Sequence, residues 1–198
     1  MPQVRKEEIA QRILKVATEQ FYERGFKATT MRDIAAEAGI PVGLLYTYNK
    51  NKKDLFDKVV SPVVHMFYHA IHSKPVREEK SYDNLLVSEA MMLVELMESK
   101  RKPFLILMDK SEGTQYEQTT QEMIREMTEH IKSHLGKRID HDTYKVNDTF
   151  YHILATNYIE GVLELARHYE GTEWAKHMIT MLNTQYLYGV TKFEKQNE

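Results

Sequence analysis

The chain has no cysteine in its 198 residues, which excludes disulfides and thiolate metal sites and says nothing of compartment. No apolar run approaches the roughly 20 residues that a membrane-crossing helix needs. The opening residues, MPQVRKEEIAQR, carry no apolar core segment, so no secretory signal is expected and cytoplasmic residence is the default. No segment alternates with the two-residue period of a half-buried strand, and no internal repeat is visible. G-x-S-x-G, a phosphate-binding glycine loop and H-E-x-x-H are all missing. Catalysis needs placed acids, bases or metals, and the scattered His and Glu form no such set. The expectation is a protein that is not an enzyme and carries no cofactor.

What is present suits a soluble helical protein. Charged residues make up 28% and apolar residues 42% of the chain. The length allows one good core, or a small head on a larger body. The net charge of −2 is unevenly spread: residues 1–60 hold 11 Lys+Arg against 8 Asp+Glu, and the remainder holds 16 against 21. A basic head on an acidic body favours a polyanion at the head.

The stretch from Thr29 to Leu55 organises the rest. Thr30 precedes Met31-Arg32-Asp33-Ile34, and a Thr with an acidic residue three positions on caps a helix start. Ile34, Ala35 and Ala38 give that helix a small apolar face. Gly39 and Pro41 stop it. A second short helix is expected over about Val42 to Tyr48. Two short helices joined through a glycine form a helix-turn-helix, whose second helix enters the DNA major groove. Upstream, residues 6–24 carry Ile9, Ile13, Val16, Ala17 and Phe21 at three- and four-residue spacing. With Phe26, Ile34, Ala38 and Leu45 these should form a miniature core.

Over Arg12–Leu55 the chain resembles the tetracycline-repressor (TetR) family of bacterial transcription regulators. The resemblance is carried by Ile13-Leu14, Phe21, Gly25-Phe26, Thr29-Thr30, Ile34-Ala35, Ala38-Gly39, Gly43, Tyr46, Tyr48, Lys52 and Leu55. It implies an all-α fold: a three-helix DNA-binding domain over 1–50, then a helical ligand-binding and dimerisation bundle over 51–198, with 51–73 as the linking helix. It departs from the family pattern at three positions. Asn49 stands where Phe is usual, Pro41 stands where Ser is usual in the turn, and Leu44 stands where a small or polar residue is common.

The expected DNA-binding residues are Thr30, Arg32, Val42, Gly43, Leu44, Tyr46, Thr47, Tyr48 and Lys52. The reading helix has no Arg, Gln or Asn, the types that pair with guanine or adenine edges. Val42, Leu44 and Thr47 offer methyl groups to thymine, and Gly43 lets backbone approach. The resemblance places Tyr46 and Tyr48 on the DNA backbone, with packing inside as the alternative for Tyr46. Limited direct base readout and a dependence on DNA shape follow. Asn51 is a candidate N-cap, and Lys52 a phosphate contact beside it. Arg32 is a second.

Downstream, Pro62 should kink the linking helix. His65, His69 and His72 share one face of it, a possible transition-metal stripe, although most such stripes are solvated. His130 and His134 are better read as complements to a helix end. Residues 73–81 look like a polar linker. The last two helices, 142–169 and 172–193, are apolar on more than one face, so each has two surfaces to bury. Composition and resemblance together give Tyr151, Ala155, Ile159, Gly161, Met178, Met181 and Gly189 as a homodimer seam. The resemblance also implies a small-molecule ligand in the body, and a repressor's role. Met66, Met92, Leu96, Phe104, Met108, Met123, Met127, Tyr151 and Tyr158 are the candidate lining. Methionine suits irregular apolar or amphipathic ligands, although Met and aromatics at helical spacing are more often core. Two rivals are an architectural protein that acts through a protein partner, and a metal-dependent helical protein using the His stripe.

Overall fold

The computed structural model describes residues 3–72 and 82–193. The linker expected at 73–81 lies outside them. Among the described residues the chain forms α1 (Gln3–Ala28), α2 (Met31–Glu37), α3 (Val42–Tyr48), α4 (Lys52–His72), α5 (Tyr82–Ser99), α6 (Arg101–Asp109), α7 (Thr119–Leu135), α8 (Asp148–Arg167) and α9 (Thr172–Thr191), with no strand. None of these helices is long and apolar enough to cross a membrane.

The helices pack as two units. One takes the chain up to Phe67 together with Lys100–Thr119; the other takes Tyr68–Ser99 and the chain from Thr120 onward. Packing therefore divides the chain differently from a cut at residue 50. Most of α4 belongs with the head, and so does α6.

In the first unit, Ile13, Ala17, Phe21, Phe26, Ile34, Ala38 and Leu45 are buried as their spacing predicts, while Val16 is half-buried. Helical geometry breaks at Gly25 (φ 74°), three residues before α1 ends at Ala28. The break is stabilised from two sides. The Thr29 hydroxyl donates to the Gly25 carbonyl at 2.8 Å, and the freed Phe26 amide donates to the Lys110 carbonyl at 3.1 Å. Phe26 then turns inward against Phe56, with centroids 5.2 Å apart, and Phe21 meets the same ring edge-on at 5.0 Å. α6 lies on α1, with Phe104 to Leu107 buried and Lys102 paired to Glu19. Pro103 falls in the first turn of α6, where a missing N–H costs little. The Tyr116 hydroxyl donates to the Asp57 carboxylate on α4, and burial raises the tyrosine's pKa. α4 runs through Pro62 as one helix.

In the second unit, Ile131, Leu135, Ile139, Tyr151, Ala155 and Val190 form a core cluster, with Met127, Leu154, Tyr186 and Phe193 packed against it. Asn147 caps α8, accepting from the Phe150 amide. α9 packs chiefly on α5 and also on α8. At Gly161 a Cβ would sit 2.9 Å from Leu182 Cδ1, so this glycine serves the approach of α9 to α8 within one chain.

Three expectations for the body need correction. Tyr151, Ala155 and Ile159, assigned to the dimer seam, are buried inside the chain itself. A helix with two apolar stripes does not reveal from its sequence which stripe its own chain covers. The apolar residues left exposed on α8 and α9 are Ile153 (48%), Met181 (54%) and Tyr188 (67%); Met178 is half-buried and Gly189 exposed. Among the proposed lining residues, Tyr151 is a member of the core cluster and Met127 packs against it. Met66, Phe104 and Met108 fall in the first unit, whereas Met92, Leu96, Met123 and Tyr158 fall in the second.

Candidate nucleic-acid interface

The site is built on the α2–α3 corner. Thr30, in extended conformation (φ −116°, ψ 155°), starts α2 with a reciprocal cap. Its Oγ1 accepts from the Asp33 amide at 3.2 Å, and Asp33 Oδ2 accepts from the Thr30 amide at 3.2 Å. The Thr30 hydroxyl also donates to that carboxylate at 2.6 Å, which is the main reason the Asp33 pKa lies below its usual value. Arg32, in the same first turn, is exposed.

Gly39 (φ 63°) ends α2 with the backbone turn that its lack of Cβ permits. Its amide donates to Ala36, and the Ile40 amide to Ala35. Pro41 precedes α3 with φ −60°. One side of α3 is anchored by Leu45, which is fully buried. Its opposite side presents Val42, Gly43, Tyr46 and Thr47 to solvent, with Leu44 and Tyr48 half-buried at the margins. Tyr46 is 51% exposed, so the alternative that it packs inside does not hold. The Thr47 hydroxyl donates to the Leu44 carbonyl at 2.7 Å, leaving its methyl as the outward group. Seven residues of helix give about 10 Å of rod, enough for a few base steps of a groove that admits one helix.

The far end of α3 is fixed by residues whose pairing sequence reading missed. Asn49 is buried, and its Oδ1 accepts from Lys58 Nζ at 3.0 Å. The same ammonium donates to the Tyr48 carbonyl and to Asp54, both at 3.0 Å. That ion pair is the first cause of the lowered Asp54 pKa. Asn49, which departs from the usual Phe, is therefore compatible with burial because a lysine nine residues on satisfies it. Asn51 caps α4 as expected, accepting from the Asp54 amide at 2.9 Å.

Lys52 takes a different place from a free phosphate contact. Its Nζ donates to the carbonyls of Phe26 at 2.7 Å and Thr29 at 2.8 Å. It also lies 4.2 Å from the centroid of the Phe26 ring. The ammonium thus closes the carbonyl end of α1, and burial lowers its pKa. The signal that would have found this is absent locally, since the partners lie 26 and 23 residues upstream. Lys50 and Lys53 beside it are exposed.

Among the described residues no three His, Asp or Glu side chains are grouped to hold a metal ion. His65, His69 and His72 are exposed; His72 Nδ1 lies 3.0 Å from the Tyr68 carbonyl and its Nε2 3.8 Å from Glu126. His134 Nδ1 lies 2.9 Å from the His130 carbonyl in the last turn of α7.

The profile described as bacterial regulatory proteins, tetR family, matches residues 13–59, which is the α1–α4 segment that carries this corner. In this N-terminal quarter the chain is similar to the tetR family. An uncharacterised HTH-type transcriptional regulator of Bacillus subtilis, YhgD, is 28% identical over 130 residues, 65% of each chain. The HTH-type transcriptional repressor KstR2 of Mycolicibacterium smegmatis is 46% identical over 48 residues, 24% of this chain and 23% of that one. The matched region therefore spans less than two thirds of either relative. A solved SmeT–triclosan complex shares the fold of this chain with a TM-score of 0.62 at 20% identity, covering 92% of this chain and 91% of that one.

Proposed function

We propose that the chain is a DNA-binding transcription regulator, a repressor that reads a palindromic operator as a homodimer and releases it when a small ligand occupies the body. The carrying observation is α3, anchored by Leu45 and presenting Val42, Gly43, Tyr46 and Thr47 outward beside the exposed Arg32. That face has methyl groups and an aromatic ring but no amide or guanidinium on α3 itself, so thymine methyls and DNA shape are its means of discrimination. Repression is favoured by the KstR2 relative, itself a transcriptional repressor. An apolar or amphipathic ligand is favoured by the SmeT–triclosan complex. Ligand would act by binding better to the state whose reading helices miss the operator.

The homodimer runs through the exposed stripe of α8 and α9, Ile153, Met181 and Tyr188, with Met178 and Gly189 at its edge. Large apolar groups left in water at helical spacing on two adjacent helices suit an interface between copies. The protein works in the cytoplasm and performs no catalysis.

The test is selection of bound duplexes from a random pool by the purified chain, followed by affinity against salt. A two-fold symmetric sequence with half-sites about one helical turn apart, and a steep salt slope, is expected. Val42→Ala and Leu44→Ala should then alter the preferred bases. Uniform weak binding to all duplexes would replace this reading with an architectural role.

A further inference from the structure

Asn183, midway along α9, is 2% exposed. Its Oδ1 accepts a hydrogen bond from the Tyr158 hydroxyl at 3.1 Å. Its Nδ2, which carries two N–H donors, has no hydrogen-bond partner. Native interiors rarely leave such a group unpaired, and each instance calls for a physical reason. The surroundings supply one. The Tyr158 ring lies 5.1 Å from Tyr186, and Tyr186 packs on the Tyr151–Ala155–Val190 cluster. One turn from Tyr158, Gly161 brings α8 against Leu182, the neighbour of Asn183. Asn183 is therefore held at the contact of α8 and α9 through Tyr158, whose ring meets Tyr186.

We propose that Asn183, held in orientation by Tyr158, is the polar anchor of a ligand site in the body, and that it donates to an acceptor oxygen on an otherwise apolar molecule. The proposal rests on the reading of the body as ligand-responsive. The ligand's class follows from the donor. A neutral amide brings no charge to offset a buried carboxylate, so the matching group is a neutral carbonyl, as in a ketone, ester or amide. Discrimination is strong in one direction: a hydrocarbon of the same shape leaves the Asn183 donors unpaired and loses affinity.

The experiment is equilibrium dialysis of the full chain against propiophenone and against propylbenzene, which differ only by the carbonyl, with the bound fraction measured by gas chromatography. Wild type should hold the ketone about tenfold more tightly than the hydrocarbon. Asn183→Leu should lose the preference. Because it also takes the acceptor from the Tyr158 hydroxyl, its thermal midpoint is read in the Tyr158→Phe background, where it should stay at or above that of Tyr158→Phe alone. Tyr158→Phe, which preserves the ring, should reduce the preference by letting the amide turn. Equal binding of the two probes, binding of neither, or a preference retained by Asn183→Leu would overturn the site. So would a thermal midpoint lowered by Asn183→Leu in the Tyr158→Phe background, where no hydroxyl is left to lose its acceptor, since that would mean a water already satisfies the amide. No DNA is present in the dialysis. A failed operator selection therefore leaves its outcome standing, and a failed dialysis leaves DNA binding standing.

Discussion

In the first unit, Phe21, Phe26 and Phe56 meet one another with centroids 5.0 to 6.2 Å apart, and the cations Lys52 and Lys58 are spent on carbonyl oxygens of their own fold. In the second unit, Ile153, Met181 and Tyr188 remain largely in water, and a buried amide nitrogen lacks an acceptor. The first unit leaves the outer side of α3 in water, and one buried acceptor, Gln20 Oε1, has no donor. The second leaves an outer stripe on α8 and α9 and Met91 on α5 in water, and an interior donor unpaired. The proposed reading assigns three of these places: DNA on α3, a second copy on α8 and α9, and a ligand at Asn183. These assignments can be broken separately.

The largest effect is expected where the head is most closed. Phe56→Ala removes the ring that both Phe21 and Phe26 contact edge-on. It should cost about 3–5 kcal/mol in urea unfolding. A loss below about 1 kcal/mol would mean that the aromatic trio is not what holds the head together.

Next comes the outer stripe of the body. Ile153→Lys with Met181→Lys places four like charges across any symmetric seam through these residues. Sedimentation velocity should show dimerisation weakened at least about a hundredfold, on the order of 3 kcal/mol. The monomer should melt much as before, because both side chains already face water in one chain. An unchanged dimer would move the seam elsewhere.

Lys52 separates closing the fold from contacting DNA. Lys52→Met leaves the carbonyls of Phe26 and Thr29 without their donor and should cost about 2 kcal/mol of stability. It should weaken binding to every duplex while the slope of log affinity against log salt stays at the wild-type value. Arg32→Ala should do the reverse, with little loss of stability and a slope smaller by about 0.9, the signature of one lost phosphate contact. A reduced slope in Lys52→Met would restore Lys52 to the phosphate backbone.

The same contrast explains how much could be read in advance. The α2–α3 corner was legible because its determinants are neighbours: Thr30 and Asp33 are three apart, Asn51 and Asp54 are three apart, and Gly39 acts on its own turn. The nine-residue step from Asn49 to Lys58 was already beyond pattern reading. Lys52 reaching back to Phe26, and Tyr116 reaching Asp57 across 59 residues, have no local signature at all. For the same reason α6 gave no sign that it belongs with the head. On α8 the periodicity correctly revealed two apolar stripes. Which of them is covered by α7 and α9 is a tertiary fact, and Tyr151 and Ala155 turned out to face inward.

The smallest effect lies near the last turn of α4, where α7 brings His130 and His134 together with ring centroids 4.4 Å apart. Burial is the main cause that lowers the His130 pKa from its ordinary value of 6.5; the charges of His134 and His72 add to it, and a hydrogen bond to the Ile71 backbone opposes it. His72 itself faces the Glu126 carboxylate. A histidine whose folded pKa is depressed takes its proton first in the unfolded chain. Above pH 6.5 neither state is protonated there and stability is unaffected. As pH falls through 6.5 the unfolded chain gains the proton, and stability declines until the folded form is protonated too. The expected loss between pH 6.5 and 5.5 is at most about 1 kcal/mol. In His130→Gln the unfolding free energy should be flatter across that interval, measured against wild type in the same buffers. A wild-type chain that gains stability over the interval would reverse the assignment, placing the protonated imidazole in a favourable contact with Glu126 or the end of α4.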